Sequence, residues 1–506
     1  MNRLAFLVTA VAMVAAHSGC GGNDNDENWF PGGGNGGSDD DAGGSGGTGG
    51  TAGTGGAAGT GGTGGAHDAG PGDSAADAVA PVAPDQPAKH SVRVLVIEQN
   101  PFLVSKGAKA SEFLGQDYQA AIQELVDDLE QSSHGLLDCT IVDSEHLNEF
   151  PRYKSPIQLK NGTTAYSMDE ETWLDVFGAG WYGWWDNPSC KQIAPYSYDY
   201  EYLLSKFDLV TRKNNDAFDQ VWLVTIDPAN DYESRMVGSS AYWINGPPIK
   251  KQSGNFPVMN VSISRRDANF ECFGHAAESI MDVVFDSTFD HYAANSLVVT
   301  DIDKLSLWDR FVLNQHATPG FASVGNVHFA PNSVEDYDWQ NTSTVMSSWR
   351  DWLDYPNLTG ETQKSTGKDW VPHTNSLFSA ARMHHRWWFG LMPHVGGRTV
   401  HGYSNSWWDY LTTLDYAVNL TAAESTSRSC KAGDYVGDLP FQVTFHSGAE
   451  KLHTVSVIPE NRLDVRSSNT NVVSIQNNRL RAVAPGKSHV SLSVDGNEAG
   501  YDITVE

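Results

Sequence analysis

The sequence predicts an α/β (α+β) fold with a mixed sheet and a central helix, followed by a small all-β domain. Between residues 91 and 285, compact apolar segments of strand length alternate with segments of helical period. From residue 449 onward, short alternating segments are separated by turn residues. The roughly 415 residues after position 90 suit one large domain at 91–425 and a small one at 445–506.

The first 20 residues predict export. A short basic start, MNR, precedes an apolar run at 4–16 that is too short to span a bilayer, as in a secretory signal peptide. The HSGC at 17–20 resembles a bacterial lipoprotein cleavage site, with His17 in place of the usual aliphatic residue. The resemblance implies that Cys20 is lipidated and that Gly21 directs the protein to the outer membrane. We therefore expect an outer-membrane or cell-surface lipoprotein with a lipid anchor in the membrane, or a secreted protein.

Residues 21–90 predict a low-complexity, disordered tether. They are mainly Gly, Ser, Thr, Ala and Asp, with GGTGGTAGTGGAAGTGGTGGA at the centre. Such a segment has nothing apolar to bury that would offset the entropy lost on ordering it. We expect the tether to hold the folded part away from a surface.

The charge of the chain argues against nucleic acid as a partner. The chain has 33 Lys and Arg against 62 Asp and Glu, a formal net charge of −29. No stretch resembles a basic groove, so we expect no nucleic-acid partner. A polymeric extracellular substrate, either a peptide or a glycan, is expected instead.

Cysteine usage is compatible with export. Without a lipidated Cys20, four of the five cysteines are left: Cys139, Cys190, Cys272 and Cys430. In an oxidising compartment, four thiols allow two disulfides with three possible connectivities. Isolated buried thiols are the alternative.

The large domain begins with a strand, a helix and a second strand: SVRVLVIEQ, QDYQAAIQELVDDLEQSS and LLDCTIVDSE. After a long aromatic and acidic insertion, DQVWLVTID predicts a third strand, AYWIN a short edge strand, and FPVMNVSIS a further strand before the helix of the 270s. This order resembles the N-terminal half of zincin metallopeptidases. The resemblance implies a zincin-like mixed sheet followed by a helix that carries metal ligands.

The helix FECFGHAAESIMD, at 270–282, has a polar stripe. At about 100° per residue, Glu271, His275, Glu278 and Asp282 share one face. Imidazoles and carboxylates bind zinc and other divalent ions, so we predict His275 and Glu278 as ligands, with zinc the expected metal. Glu271 and Glu278 are the candidate catalytic bases, and which carboxylate is base and which is ligand stays open. An amphipathic surface helix would show the same stripe.

His328 is the predicted third ligand. It lies in SVGNVHFAPNSVEDYDW, at 323–339, ahead of a turn-rich acidic loop, where a structural His is the alternative. A second group, His384, His385 and His394, stands beside paired tryptophans in RMHHRWWFGLMPH. Because the chain has 17 histidines, some clustering arises by chance, and this group carries little weight as a metal site.

Compared with the His-Glu-x-x-His helix of zincins, ECFGH places Glu271 at the first ligand position and Cys272 at the position of the catalytic Glu. This departure affects the residue that activates water in that family. Taken together, DQVWLVT, FGHAAESIM, VGNVHFAPNSVEDYDW, HHRWWF and NSWWDYL resemble an uncharacterised family of secreted bacterial proteins. The C-terminal SSNTNVVSIQNNRLRAVAPGKSHVSLSV resembles the bacterial immunoglobulin-like group 2 domain, which implies a small β-sandwich that serves as a spacer or adhesive module.

Three functions follow from these patterns. The first is metal-dependent hydrolysis of a peptide or cell-envelope polymer. The second is glycan binding or adhesion on a degenerate zincin-like fold, because WYGWWDNP and SNSWWDYL mix indole with hydrogen-bonding groups suited to sugars. The third is metal-free glycosidase chemistry, with Asp336 or Asp338 and Glu278 as the acid and base pair.

Overall fold

The computed structural model describes residues 86–186, 198–226, 229–263, 266, 269–285, 294, 305–372, 377–399, 403–412, 416–422, 427–436, 441–447, 450–455, 463–476, 479–494 and 497–506. The predicted signal peptide, Cys20, nearly all of the tether and Cys190 lie outside these residues. Within the described ranges, no helix has the length and apolar character needed to cross a membrane.

The described chain is a mixed α/β structure with several sheets. The helices are α1 Ala110–Leu114, α2 Tyr118–Ser132, α3 Glu170–Asp186, α4 Tyr200–Lys206, α5 Leu209–Asn214, α6 Asn269–Phe285, α7 Leu307–Phe311, α8 Leu377–Gly390 and α9 Trp408–Thr412. The strands up to residue 406 are β1 His90–Gln99, β2 Phe102–Leu103, β3 Ala108–Lys109, β4 Leu137–Leu147, β5 Arg152–Gln158, β6 Thr164–Ser167, β7 Gln220–Thr225, β8 Ser234–Gly238, β9 Ile249–Lys250, β10 Phe256–Ser262, β11 Val345–Ser347, β12 Gln363–Ser365, β13 His394–Arg398 and β14 Ser404–Ser406.

The largest sheet has the strand order β4-β1-β7-β10-β8-β9. Strands β4, β1, β7 and β10 are parallel, β8 runs antiparallel to β10, and β9 is parallel to β8. Strand β1 reads as a continuous apolar run because both its faces are covered, and Val94, Leu95, Val96 and Ile97 are fully buried. The four strands predicted for this parallel part are confirmed.

The predicted edge strand AYWIN is wrong. Residues 241–245 form a loop, and the antiparallel neighbour of β10 is β8, with the sequence SRMVG. The loop folds back beneath α6, where the backbone N–H of Asn245 donates to the Ser279 hydroxyl at 3.1 Å. Ala241, Tyr242 and Ile244 are fully buried. Their apolar character therefore reflects packing into the core and not a strand.

Helix α2 fixes α8 against the sheet. The Asp117 side chain caps α2 by accepting from the backbone N–H groups of Gln119 and Ala120. On the same helix, Asp128 is buried and accepts a bidentate pair of hydrogen bonds from Arg382 of α8, at 2.7 and 2.9 Å. Helices α2 and α8 both contact α6. This packing places α6 in the interior of the domain.

The tryptophans of the described chain are mostly core residues. The buried ones are Trp173, Trp222, Trp308, Trp339, Trp349, Trp352, Trp370, Trp388, Trp407 and Trp408. Four of them surround Phe311 with ring centroids 5.0 to 6.1 Å away. The exposed tryptophan row expected of a glycan-binding face is absent from the side chains that the structure describes, and those of Trp184 and Trp185 are outside them.

The C-terminal part consists of strands, as its alternating pattern predicts. They are β15 Tyr416–Ala422, β16 Ser427–Cys430, β17 Phe441–Ser447, β18 Glu450–Val455, β19 Leu463–Ser467, β20 Val473–Gln476, β21 Arg479–Ala482, β22 Gly486–Val494 and β23 Asn497–Val505. They form sheets of order β15-β17-β18 and β16-β23-β22-β19 and the hairpin β20-β21. The strands thus begin at residue 416, ahead of the boundary at 445 that the sequence indicates.

The predicted disulfides are not seen between described cysteines. Cys139 and Cys430 carry free thiols. Burial raises the pKa of the Cys139 thiol to about 12, which keeps it protonated and unreactive at neutral pH.

Candidate metal centre

Helix α6 starts at the carboxyl end of β10. The Asn269 side chain accepts from the Ser262 backbone N–H at 2.7 Å and donates to the Ser262 carbonyl at 3.0 Å. These two bonds fix the first turn of the helix against the strand. Glu271 and His275 follow one turn apart on the same face, and both are only 5 % exposed. Glu278 is buried as well and only Asp282, at the far end of the polar stripe, is half-buried, so the alternative of a solvated surface helix is wrong.

The loop after α7 brings His328 to this face through a tight turn. Gly325 has φ +83°, and a Cβ built there would stand 2.1 Å from the Phe329 carbonyl oxygen. The Asn326 side chain closes the turn by accepting from the backbone N–H groups of His328 and Phe329 at 3.1 and 2.8 Å. On α6, Gly274 lets the loop approach closely, because a Cβ there would lie 2.6 Å from Val327 Cγ2. Both glycines are needed to seat His328.

Glu271, His275 and His328 form a buried group whose ligand atoms all lie within 4.8 Å of one another. We call it the three-ligand site. His275 Nε2 is 3.0 Å from His328 Nε2, and Glu271 Oε1 is 3.4 Å from His328 Nε2 and 3.9 Å from His275 Nε2. A tetrahedral ion with bonds of about 2.0–2.1 Å separates its ligand atoms by about 3.3 Å. The observed separations bracket that value, so the site could hold a divalent metal ion.

Both imidazoles are oriented by carboxylates on their other nitrogen. His275 Nδ1 donates to Glu278 Oε2 at 2.9 Å, and His328 Nδ1 lies 2.9 Å from Asp336 Oδ1. Glu278 is itself held by the Val327 backbone N–H, which donates to its Oε1 at 2.8 Å. Histidines that bind metals usually have such a partner, which fixes the tautomer and directs the other nitrogen to the ion.

The structure brings together His275 and His328, as expected for two ligands, and adds Glu271 to them. Glu278, predicted as ligand or base, lies on the opposite side of the His275 ring. A carboxylate bonded to Nδ1 faces away from an ion on Nε2, so this geometry places Glu278 outside the three-ligand site. Glu271, the other predicted base, contributes one of the three converging atoms.

Burial and charge act in opposite directions on the site. Burial alone would lower the pKa of His328, but hydrogen bonds with Asp336 and Glu271 raise it to about 9. Burial alone would also lower the pKa of His275. The charge of Glu233, the nearby Glu271 carboxylate and the hydrogen bond with Glu278 raise this pKa well above the usual value. At Glu271, burial raises the pKa, but the two neighbouring imidazoles bring it well below the usual value. At neutral pH the ion-free site therefore holds one proton between its two imidazoles, because two nitrogens 3.0 Å apart cannot both carry a hydrogen toward each other.

Metal binding is consequently expected to release protons. Because coordination needs neutral imidazoles and the pKa of His328 is about 9, affinity for Zn²⁺ should rise by about tenfold per pH unit for each displaced proton between pH 6 and 8. Calorimetry in buffers of different ionisation enthalpy measures the number released. An affinity independent of pH across this range would contradict the assignment of these imidazoles as ligands.

Two functional candidates were not found by sequence reasoning. The Tyr337 hydroxyl lies 3.2 Å from His328 Nε2, and its ring centroid is 4.5 Å from that of His328. Glu233, at the start of β8, carries a charge that raises the pKa of His275. Its Oε2 accepts from Asn245 Nδ2 at 2.6 Å. Neither residue has a sequence pattern that links it to α6, because only the tertiary fold brings them together.

His384 and His385 of α8 pack against the Trp339 ring, with ring centroids 5.8 and 5.3 Å away. Both are fully buried. His385 Nε2 donates to the Val327 carbonyl at 3.1 Å, and the Trp339 indole N–H donates to the same oxygen at 3.1 Å. The residue before His328 is thus held from both sides, by Glu278 at its N–H and by α8 at its carbonyl.

This buried pair is expected to make the protein sensitive to acid. Burial lowers the pKa of His385 to about 4, below the usual 6.5 that applies in the unfolded chain. The unfolded state therefore binds more protons, and stability should fall as pH drops from 6.5 to 4, by on the order of 3 kcal/mol for this group. His385→Asn keeps a donor for Val327 but does not titrate. Urea unfolding from pH 7 to 4 should show a smaller loss for this variant; an equal loss would contradict the prediction.

A scan against protein-family models found no matching family, and no curated protein sequence matches the chain. The likenesses to zincins, to secreted bacterial proteins and to immunoglobulin-like domains therefore stay predictions from the sequence.

Proposed function

We propose that the chain is a metal-dependent hydrolase that acts on a peptide or cell-envelope polymer outside the cell. The observation that carries the proposal is the three-ligand site, in which two imidazoles with carboxylate-anchored Nδ1 atoms converge with Glu271. Two histidines and one glutamate are a ligand set of catalytic zinc sites, which keep a further position open for water or substrate. Zinc is the metal we favour.

The residues of the chain have distinct parts in this chemistry. When bound, a divalent ion supplies Lewis acidity to a carbonyl or a water molecule. Glu271, His275 and His328 would hold it, and Glu278 and Asp336 keep the two rings in the required tautomer. Glu233 is the carboxylate to which we assign proton acceptance, since Cys272 takes the place of the zincin glutamate. Asn245 supports this role, because it binds Glu233 through its side chain and Ser279 of α6 through its backbone.

The remaining sequence predictions fit the same proposal. Lipidation of Cys20 and the 21–90 tether would place the enzyme at the outer membrane or cell surface, within reach of polymeric substrates. A zincin-like arrangement of the large sheet with α6, and an immunoglobulin-like C-terminal spacer, would complete the architecture. The sheet order and the C-terminal strand pairs are compatible with both.

The alternatives have less support. Glycan binding relies on exposed tryptophans, and those whose burial the structure describes are mainly in the core. The glycosidase hypothesis needs Glu278 as an acid or base, but both carboxylate oxygens of Glu278 accept hydrogen bonds inside the protein. Asp338 accepts from the Val334 backbone N–H and the Asn341 side chain within its own loop.

Hydrolysis assays with and without metal test the proposal. The purified chain should cleave a member of a panel of peptides and peptidoglycan fragments, lose this activity with dipicolinate, and regain it with Zn²⁺. Cleavage of a glycan that survives complete metal removal would favour the glycosidase. Polysaccharide binding without any cleavage would favour the adhesion module.

A further inference from the structure

We propose that the Tyr337 hydroxyl is the hydrogen-bond donor for an oxygen anion bound beside the metal in the three-ligand site. The inference rests on the proposed function and deepens it, because it assigns a residue to the ligand and not to the ion. The oxygen would belong to a carboxylate, a hydroxamate or the tetrahedral species of acyl transfer.

The hydroxyl lies beside the ligand nitrogen that is nearest to the other two ligand atoms. Tyr337 Oη is 3.2 Å from His328 Nε2, the same nitrogen that lies 3.0 Å from His275 Nε2 and 3.4 Å from Glu271 Oε1. The hydroxyl therefore stands at the edge of the space that an ion would fill. Its ring also packs against the His328 imidazole, with ring centroids 4.5 Å apart.

The position of the Tyr337 phenol is fixed by the preceding residue, by its own backbone and by a neighbouring ring. Asp336 binds Nδ1 of His328 while the next residue, Tyr337, faces Nε2 of the same ring. The Tyr337 backbone N–H also donates to the His328 carbonyl at 3.2 Å, and Trp339 packs edge-on against its ring at 5.1 Å. Tyr337 has φ +60°, an unfavourable conformation for a bulky residue that clusters at functional sites.

Metal binding changes what the hydroxyl can donate to. In the ion-free site His328 Nε2 is its neighbour, but a coordinated Nε2 has no lone pair left to accept a proton. An oxygen anion bound beside the ion would then be an acceptor within reach of the hydroxyl. Preoriented donors of this kind stabilise the negative charge that develops on oxygen during acyl transfer.

The test uses the full chain loaded with Co²⁺, with acetohydroxamate as the probe and visible absorption as the readout. Tyr337→Phe should keep one Co²⁺ per chain and bind acetohydroxamate about tenfold more weakly or worse, the usual effect of losing a bond to a charged group. Tyr435→Phe, at a residue 70 % exposed, is the matched control and should match the wild type. Should the Phe variant not fold, Tyr337→Trp keeps a ring and an N–H donor that does not bind metals, and it should bind the probe nearly as the wild type does.

Each outcome is decisive. Unchanged acetohydroxamate affinity in Tyr337→Phe, or poor affinity in a folded Tyr337→Trp, overturns the donor role. Loss of Co²⁺ from the Phe variant overturns it as well, because Tyr337 would then be a ligand. If the wild type itself takes up no Co²⁺, the proposed function fails, which is distinguishable from failure at Tyr337 alone.

Discussion

Replacement of His275 by Ala should abolish tight binding of a divalent ion and any hydrolysis that depends on it. His275 supplies one of three converging ligand atoms, and its Nδ1 ties the site to Glu278 and so to Val327. Loss of a direct ligand should cost more than the 10–100-fold in affinity that loss of an outer partner typically costs. Competition with a chromophoric zinc chelator measures this affinity, and circular dichroism reports whether the variant is folded.

Two variants serve as controls for that result. Glu278→Gln removes the charge from the partner of His275 but no ligand, so its loss in affinity should fall within 10–100-fold. His489→Ala changes an exposed histidine of the C-terminal strands and should bind metal as the wild type does. A folded His275→Ala protein that binds Zn²⁺ as tightly as Glu278→Gln would contradict the ligand assignment.

Gly325→Ala should be strongly destabilising and should weaken metal binding as well. Its Cβ would stand 2.1 Å from the Phe329 carbonyl oxygen, at a φ of +83° that already disfavours a side chain. The turn that carries His328 could form only with a backbone shift. We expect a loss of about 3 kcal/mol or more in the free energy of unfolding, measured by urea titration.

Gly320→Ala is the matched control for this substitution. Gly320 has a similar φ of +90°, but a Cβ there meets nothing within 4 Å. It should show only the conformational cost of about 1 kcal/mol and normal metal affinity. Equal losses in the two variants would mean that the close approach at Gly325 does not hold the turn.

The apolar pattern of the sequence predicts the parallel strands of the large sheet correctly but does not predict its antiparallel edge. The apolar segments at β1, β4, β7 and β10 predict strands, and the structure has all four. AYWIN has the same character, yet it is a loop whose apolar side chains fill the core under α6. A short apolar segment does not distinguish a strand from a buried loop, because both need apolar side chains to pack in the core.

The helical part of the candidate site could be predicted and its surroundings could not. The spacing of four residues puts Glu271 and His275 on one face of α6 whatever the rest of the fold. The role of Glu278 depends on which nitrogen of His275 its carboxylate contacts. The Val327 backbone N–H, in a loop distant in sequence, holds this carboxylate in place. The charge of Glu233 acts on His275, and Tyr337 meets His328, only because of the sheet order and the loop after α7, so sequence spacing carries no signal for either residue.

The histidine and tryptophan clusters also show what residue type cannot predict. His384 and His385 look like metal ligands in composition, but α8 directs them to the loop backbone and the Trp339 ring. Paired tryptophans suggest a sugar-binding face, yet Trp388 donates its indole N–H to the Gly325 carbonyl at 2.9 Å inside the core. Residue type alone does not say whether a side chain faces solvent or the interior.

The metal content of the purified chain tests the central claim most directly. Residues 90–506, exported to an oxidising compartment and purified without chelators, should contain one divalent ion per chain by inductively coupled plasma mass spectrometry, and His328→Ala should contain none. A folded wild-type protein that carries no ion, and takes up none from added Zn²⁺, would contradict the account and leave the three-ligand site as a buried hydrogen-bond network.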